Sequence, residues 1–378
     1  TGDGKIRVSE LITMWNYTGN GAPGGLLNLI NLTGRVYAEI YAFVDVGISI
    51  PFIGKIMKRV VDWTIVEITI AEWEYNAPNV EPVLASVDGD TLLIHTGKRA
   101  GQREYLDTED GGENVTITGN ASSITVEYND WEQVYTGSFS KVVADGGSGD
   151  NTFDASGLTG VMVEFTGGPG KDSFTSGTGG GWMIGADGDD TLNASLSTGD
   201  FELDGGPGND RLTGGSGINT LTGGDGEDRL SGQGLDDVIN GGSGIDTLNG
   251  AAGEDYYFFS TGFGEDRLSD SEGGAILDFS DVSSDLFVNL SASSLSISTA
   301  DEELRLGRVK VSKIILGTGN DVIFMRNLPE STIEIEDTGG SSTYTLELEP
   351  QVSGKSDGII NIIDNDTDFD EIILTNLP

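Results

Sequence analysis

From Gly205 to Phe258 the chain runs as six unbroken blocks of nine residues: GGPGNDRLT, GGSGINTLT, GGDGEDRLS, GQGLDDVIN, GGSGIDTLN and GAAGEDYYF. A fixed short period restricts the fold more than any other feature here. Each block is one small structural unit whose apolar face cannot be buried alone, so neighbouring blocks must stack to share a core. The blocks fit the template Gly-Gly-x-Gly-x-Asp-x-U-x, where U is a large apolar residue. Position eight carries Leu212, Leu221, Leu230, Ile239, Leu248 and Tyr257, and position six carries Asp210, Asn219, Asp228, Asp237, Asp246 and Asp255.

The two halves of the template do different work. Glycines tolerate positive φ and close backbone approach, so the first six residues can wrap tightly and aim carbonyl oxygens at one point. The last three residues form a short strand with its central apolar side chain inward. One block makes half a turn and two blocks make a coil of eighteen, which stacks into a flattened parallel β-roll with a hydrophobic seam and an acidic edge on each side.

The chemistry expected at those edges is that of a hard cation. Ca²⁺ takes six to eight oxygens from carboxylates and carbonyls, whereas Mg²⁺ demands near-octahedral geometry and keeps its waters. Zinc would find no cysteine and one histidine. The expected ligands on one edge are Asp172, Asp190, Asp210, Asp228, Asp246 and Asp266, spaced by 18, 20, 18, 18 and 20 residues, so each step of 20 must hide a two-residue bulge. Gly205, Gly208, Gly223, Gly226, Gly241 and Gly244 shape that edge. The other edge is weaker: Asp237 and Asp255 are joined by Asn219, with Gly214 and Gly217 in its turn, while Gly181 stands at the acid position a further coil back and Leu235 replaces a glycine. Full metal occupancy is expected on the first edge and partial occupancy on the second.

These blocks resemble the RTX family, the haemolysin-type calcium-binding repeats of secreted bacterial proteins. GGPGKDSFT from Gly167 and GADGDDTLN from Gly185 are further copies. TGFGEDRLS from Thr261 and LGTGNDVIF from Leu316 also fit, the last adding Asp321 as a candidate ligand. The resemblance implies a right-handed parallel β-roll with several Ca²⁺ ions between adjacent turns, export from a Gram-negative cell and folding outside it. AILDFSDVSSDLFVNL resembles segments that interrupt repeat arrays in very large RTX surface proteins.

Charge agrees with a cation partner. The 378 residues include 62 acidic and 20 basic side chains, a formal net charge of -42. Such a chain repels nucleic acid and anionic membrane surfaces. No apolar run reaches the ~18 residues of a membrane span. The start at Thr1, without Met, reads as part of a longer or processed polypeptide.

The whole reads as all-β in three parts. Residues 1–140 are expected to be an antiparallel sheet or sandwich, with a long hairpin from Val36–Ile50 and Val60–Thr69 about a turn at Pro51–Gly54. Residues 141–325 form the roll, interrupted near 270–315, and 326–378 a short β cap. Trp15, Trp63, Trp73 and Trp131 are read as sheet packing, and the lone His95 as structural. Near the end, Asp364, Asp366, Asp368 and Asp370 begin like an EF-hand loop, but Phe369 stands where glycine is needed. No HExxH or GxSxG motif appears, so the chain is read as non-enzymatic. The expected role is an extracellular calcium-binding structural module of an adhesin, surface layer or filament. The expected partners are calcium and either copies of the chain itself or other surface proteins or glycans. Two alternatives stay open: the carrier part of an RTX toxin or hydrolase whose catalytic part lies elsewhere, and a glycan-binding N-terminal sheet.

Overall fold

The computed structural model describes residues 32–38, 49–50, 54–55, 68–75, 82–103, 111–129, 131–291, 294–326, 332–347, 359–365 and 370–375. The chain divides into two compact units, Thr1–Pro82 and Val83–Pro378. In the first, Leu32–Ala38 pairs antiparallel with Ile68–Tyr75, and Ser49–Ile50 pairs with Gly54–Lys55 across the expected turn. The rest of the expected hairpin lies outside the described residues, as do Trp15, Trp63 and the side chain of Trp73.

The second unit is the roll. Strands pair in parallel with the strand two places on, giving a front and a back ladder. The front ladder runs through Phe201–Pro207, Asn219–Gly226, Val238–Gly244 and Glu254–Ser260, and the back ladder through Arg211–Thr213, Arg229–Gly234 and Thr247–Ala252. The eighteen-residue coil is explicit in the register, with Leu212 beside Leu230 and Leu221 beside Ile239. All six position-eight side chains are 0–2% exposed. They line a seam that no single block could bury, and each contributes roughly 1.5–3 kcal/mol by leaving water.

The two steps of 20 hold their extra residues on opposite edges. In the first, Leu192 and Phe201 lie nine residues apart where the next coil has seven between Leu212 and Asn219, so the extension sits in the 194–200 turn. The second lies in the 258–266 turn, whose Phe263 packs with Phe259 and Phe279 at 5.5 and 5.8 Å between ring centres.

The interruption is an insertion in one ladder only. Phe287–Ser291, Ser294–Ser298 and the start of Glu303–Ile315 run antiparallel to one another in the back ladder. A regular coil would place one strand there, so the back ladder gains two strands, about 10 Å of width. On the front, the second halves of Glu265–Asp281 and Glu303–Ile315 pair directly.

The unit boundary differs from the expected one near residue 140. Thr91–Ile94 and Asn114–Asn120 are hydrogen-bonded in parallel to Lys141–Asp145 and Thr152–Thr159, so the roll already begins with them. Alternating hydrophobicity identifies a half-buried strand but does not tell a parallel partner from an antiparallel one. Antiparallel pairing survives at the outer side, where Ala85–Asp88, Ser123–Tyr128 and Trp131–Thr136 extend the first strands and cover the open edge. His95 is 3% exposed there, with Nδ1 3.1 Å from the Val83 carbonyl, and Trp131 is 41% exposed on the outermost strand. At the far end, Thr332–Asp337 and Thr343–Glu347 pair in parallel with Ile359–Asp364 and Glu371–Thr375, continuing both ladders.

Leu235, in a glycine position, adopts φ of 64° with its side chain 57% exposed. A left-handed conformation costs a residue with Cβ about 1–2 kcal/mol, and little packing is lost with this side chain. Leu235→Gly is therefore expected to stabilise the calcium-loaded protein by about 1 kcal/mol. Denaturant titration checks this, and a loss of stability would contradict it.

Candidate metal centre

The acid beat becomes a column of carboxylates along one edge. The backbone N–H of Asp172 donates to Oδ1 of Asp190, that of Asp190 to Asp210, and that of Asp210 to Asp228, each at 2.7 Å. Asp228 donates likewise to Asp246, and Asp246 to Asp266, at 2.9 Å. The steps of 18 and 20 thus do fall on one edge. Every one of these aspartates is 0–2% exposed. Each uses Oδ1 to tie its coil to the previous one, and each leaves Oδ2 buried with no hydrogen-bond donor.

The unpartnered Oδ2 turns toward position one of its own block. A Cβ on Gly205, Gly223 or Gly241 would overlap Oδ2 of Asp210, Asp228 or Asp246. At Gly205 it would also lie 2.7 Å from the Gly223 carbonyl of the next coil, so oxygens of two coils converge. At position four, Gly208, Gly226 and Gly244 have φ of 144°, 144° and 135° and stack so closely that a Cβ would strike the carbonyl of the preceding coil. A side chain at position one or four would therefore fill the space between coils.

On the opposite edge, strand register aligns Val163, Gly181, Phe201 and Asn219. Asp237 and Asp255 continue this column through hydrogen bonds from Asn219 N and Asp237 N at 2.7 and 2.9 Å, and Ala275 follows. Only Asp237 and Asp255 present unpartnered Oδ2 atoms. The Asn219 amide instead donates into its turn, where Gly214 and Gly217 stand. Asp321 lies beyond the insertion in the column of the first edge; it accepts the Leu286 N–H at 2.8 Å and leaves Oδ2 unpartnered. Asp370 accepts the Ser342 N–H at 2.8 Å, whereas Asp366 and Asp368 lie outside the described residues.

Two features escaped the sequence reading. Asp270, 2% exposed with Oδ1 unpartnered, stands at position one, in register with Gly250 because Leu248 pairs with Leu268. It faces the second edge beside Asp255, and the Tyr257 hydroxyl donates to its Oδ2 at 3.1 Å while accepting the Gly250 N–H at 2.6 Å. All six unbroken blocks from Gly205 to Phe258 have glycine at this position, so no periodic signal marked an acid there. The second feature is an exposed outer ladder at position five, where Asp189 accepts from Asn209 N at 2.9 Å and Asn209 from Glu227 N at 2.8 Å. The recurrent Asp or Asn at position five is the signal that would have found it.

Burying a carboxylate oxygen without a donor is costly, and several in a row are not sustained by hydrogen bonding within the protein. Among the described residues no three His, Cys, Asp or Glu side chains come together to hold a metal. A cation here must therefore take most of its oxygens from the backbone, as a calcium site does and a zinc site does not. Residues 204–236 and 231–268 each match the family model described as the RTX calcium-binding nonapeptide repeat (4 copies). The chain carries RTX repeats that bind calcium. No curated protein shows significant similarity to it. The same Oδ1 tie and bare Oδ2 occur at Asp172, Asp190 and Asp321, so the RTX geometry extends beyond the matched segment in both directions.

Burial pushes the RTX carboxyls upward from the ordinary 3.8, with neighbouring carboxylates adding to the effect. Asp190, Asp228 and Asp237 rise to about 6, Asp210, Asp246 and Asp321 to about 7, and Asp266 to about 8. Asp172 and the adjoining Asp255 and Asp270 rise as well, again chiefly through burial. A carboxyl raised in the folded state holds its proton there at pH values where the unfolded chain has lost it. Without metal, the contribution of these carboxyls to stability is therefore fully present below about pH 4 and is lost as pH rises through roughly 4 to 8. In chelator, the β-sheet circular dichroism should be stronger at pH 5 than at pH 8, while saturating calcium should abolish the difference. Equal chelated spectra at both pH values would contradict this.

Proposed function

We propose that this chain is a calcium-rigidified structural module of a secreted or surface protein, folding when it meets extracellular calcium. The observation that carries the reading is the run of six bare, buried Oδ2 atoms from Asp172 to Asp266 on one edge. With it go Asp237 and Asp255 on the other edge, with Asp270 beside Asp255, and Asp321 past the insertion. Calcium held by these groups and the glycine-turn carbonyls replaces protons as the partner of the buried carboxylates.

The energetics favour a switch. A site with Kd of about 100 μM in about 10 mM calcium adds roughly 2.7 kcal/mol to the folded state, and several such sites exceed the whole stability of an ordinary domain. In calcium-poor cytoplasm the roll would lack these terms. The two ladders with their uninterrupted core suit a spacer or assembly unit of an adhesin, surface layer or filament. No helix among the described residues is long and apolar enough to cross a membrane.

Far-UV circular dichroism at neutral pH through a calcium titration tests the folding switch. The β signal should grow cooperatively with calcium and collapse on chelation, and a spectrum indifferent to calcium would overturn the reading. Electron microscopy of the calcium-loaded protein tests the role: filaments or sheets are expected, and isolated particles would favour a carrier for a distant catalytic part.

A further inference from the structure

We propose that Asn151 and Asn219 are built-in substitutes for calcium, their side-chain amides occupying the place of the ion so that these two rungs take no metal. The inference rests on the calcium reading above and goes beyond it, because it states where the metal array begins on each edge.

Asn219 is fully buried, and its Nδ2 lies among four oxygens. Its two N–H groups point to the nearest of them, the Gly217 carbonyl and Oδ1 of Asp237, both at 2.9 Å, while the carbonyls of Gly232 and Gly215 lie at 3.2 and 3.3 Å and share these donors. Three of these oxygens are backbone carbonyls from two adjacent coils, and the fourth is a carboxylate oxygen. One coil on, Asp237 presents Oδ2 at the corresponding place and finds no donor. The two side chains have the same shape and opposite hydrogen-bonding sign. An oxygen facing such a ring needs a cation between, whereas an NH2 group offers the ring two donors of its own. The reverse assignment of the amide would set its oxygen against four others, so the ring itself orients the group.

Asn151 repeats the arrangement on the first edge. Its Nδ2 donates to the Gly149 carbonyl at 2.8 Å and to Oδ1 of Asp172 at 2.9 Å. The position-one geometry matches too: a Cβ on Gly146 would lie 2.6 Å from this Nδ2 and 2.8 Å from the Gly167 carbonyl, as one on Gly214 would lie 2.9 Å from Asn219 Nδ2 and 2.5 Å from the Gly232 carbonyl. The next residue of the column is Glu113, whose N–H donates to Oδ1 of Asn151 at 2.9 Å. Its carboxylate is held by two bonds from Arg103, at 2.7 and 2.9 Å, with both side chains 1% exposed. Along this edge the chain thus neutralises its own first rungs, by a guanidinium and then an amide, before six carboxylates follow. The metal array opens at Asp172 on one edge and Asp237 on the other, and the start of the roll is complete without calcium.

Calcium counting on the full chain tests this, by isothermal titration calorimetry and by elemental analysis after dialysis at a fixed free calcium concentration. Asn219→Asp should bind one more ion than the parent, and its melting temperature in chelator should fall below the parent's. Asp237→Asn should bind one ion fewer and remain folded in calcium. An unchanged count in either variant would overturn the proposal, as would an Asn219→Asp protein that fails to fold in saturating calcium, since a rung prepared for an ion should accept one. A parent chain that binds no calcium would instead sink the calcium reading itself.

Discussion

A buried carboxylate whose second oxygen has no donor is the constraint around which this protein is organised. One oxygen of each position-six aspartate accepts a backbone N–H from the neighbouring coil, so the acid is part of the ladder and cannot turn away to solvent. The other oxygen is left among glycine-turn carbonyls. Hydrophobic stacking and edge electrostatics are therefore coupled: the seam of position-eight side chains forms only in coils that also bring the acids into line. A proton or a calcium ion on those acids offsets the cost of burying them within the stacked coils.

The chain uses several answers to the same local problem. Metal answers it in the repeats, Arg103 answers it at Glu113, and Phe201 removes it by placing an apolar side chain, 3% exposed, in the column of the second edge. These alternatives lie toward the N-terminal side of the roll, next to the antiparallel strands that close its edge. A stack of coils whose neighbours contact mainly each other needs such a closed end, because its stability is built from one coil to the next.

Much of the roll was legible in the sequence because its period is local. A nine-residue beat reports its apolar position directly, and Leu212, Leu221 and Leu230 are buried as that beat requires. Counting by eighteens also placed Asp172 to Asp266 on one edge, bulges included. Asp270 was illegible because it works from position one, out of phase with every other acid. The weakness of the second edge was visible at Gly181 and Asn219, but Phe201 enters that column only through the displaced register of a seven-residue turn.

By itself the sequence determined the coil length, the inward-facing residues and the acid spacing, since each depends on residues close together in the chain. Tertiary structure alone decided which distant strands pair. It joined Thr91–Ile94 to Lys141–Asp145 and folded Phe287–Ser291 and Ser294–Ser298 into the back ladder as extra strands. It also decided which polar atom meets which ring of oxygens, making Asn219 a donor where Asp237 is a bare acceptor. The physical reason is that strand direction and hydrogen-bond sign are properties of pairs, and the partners here lie on different coils.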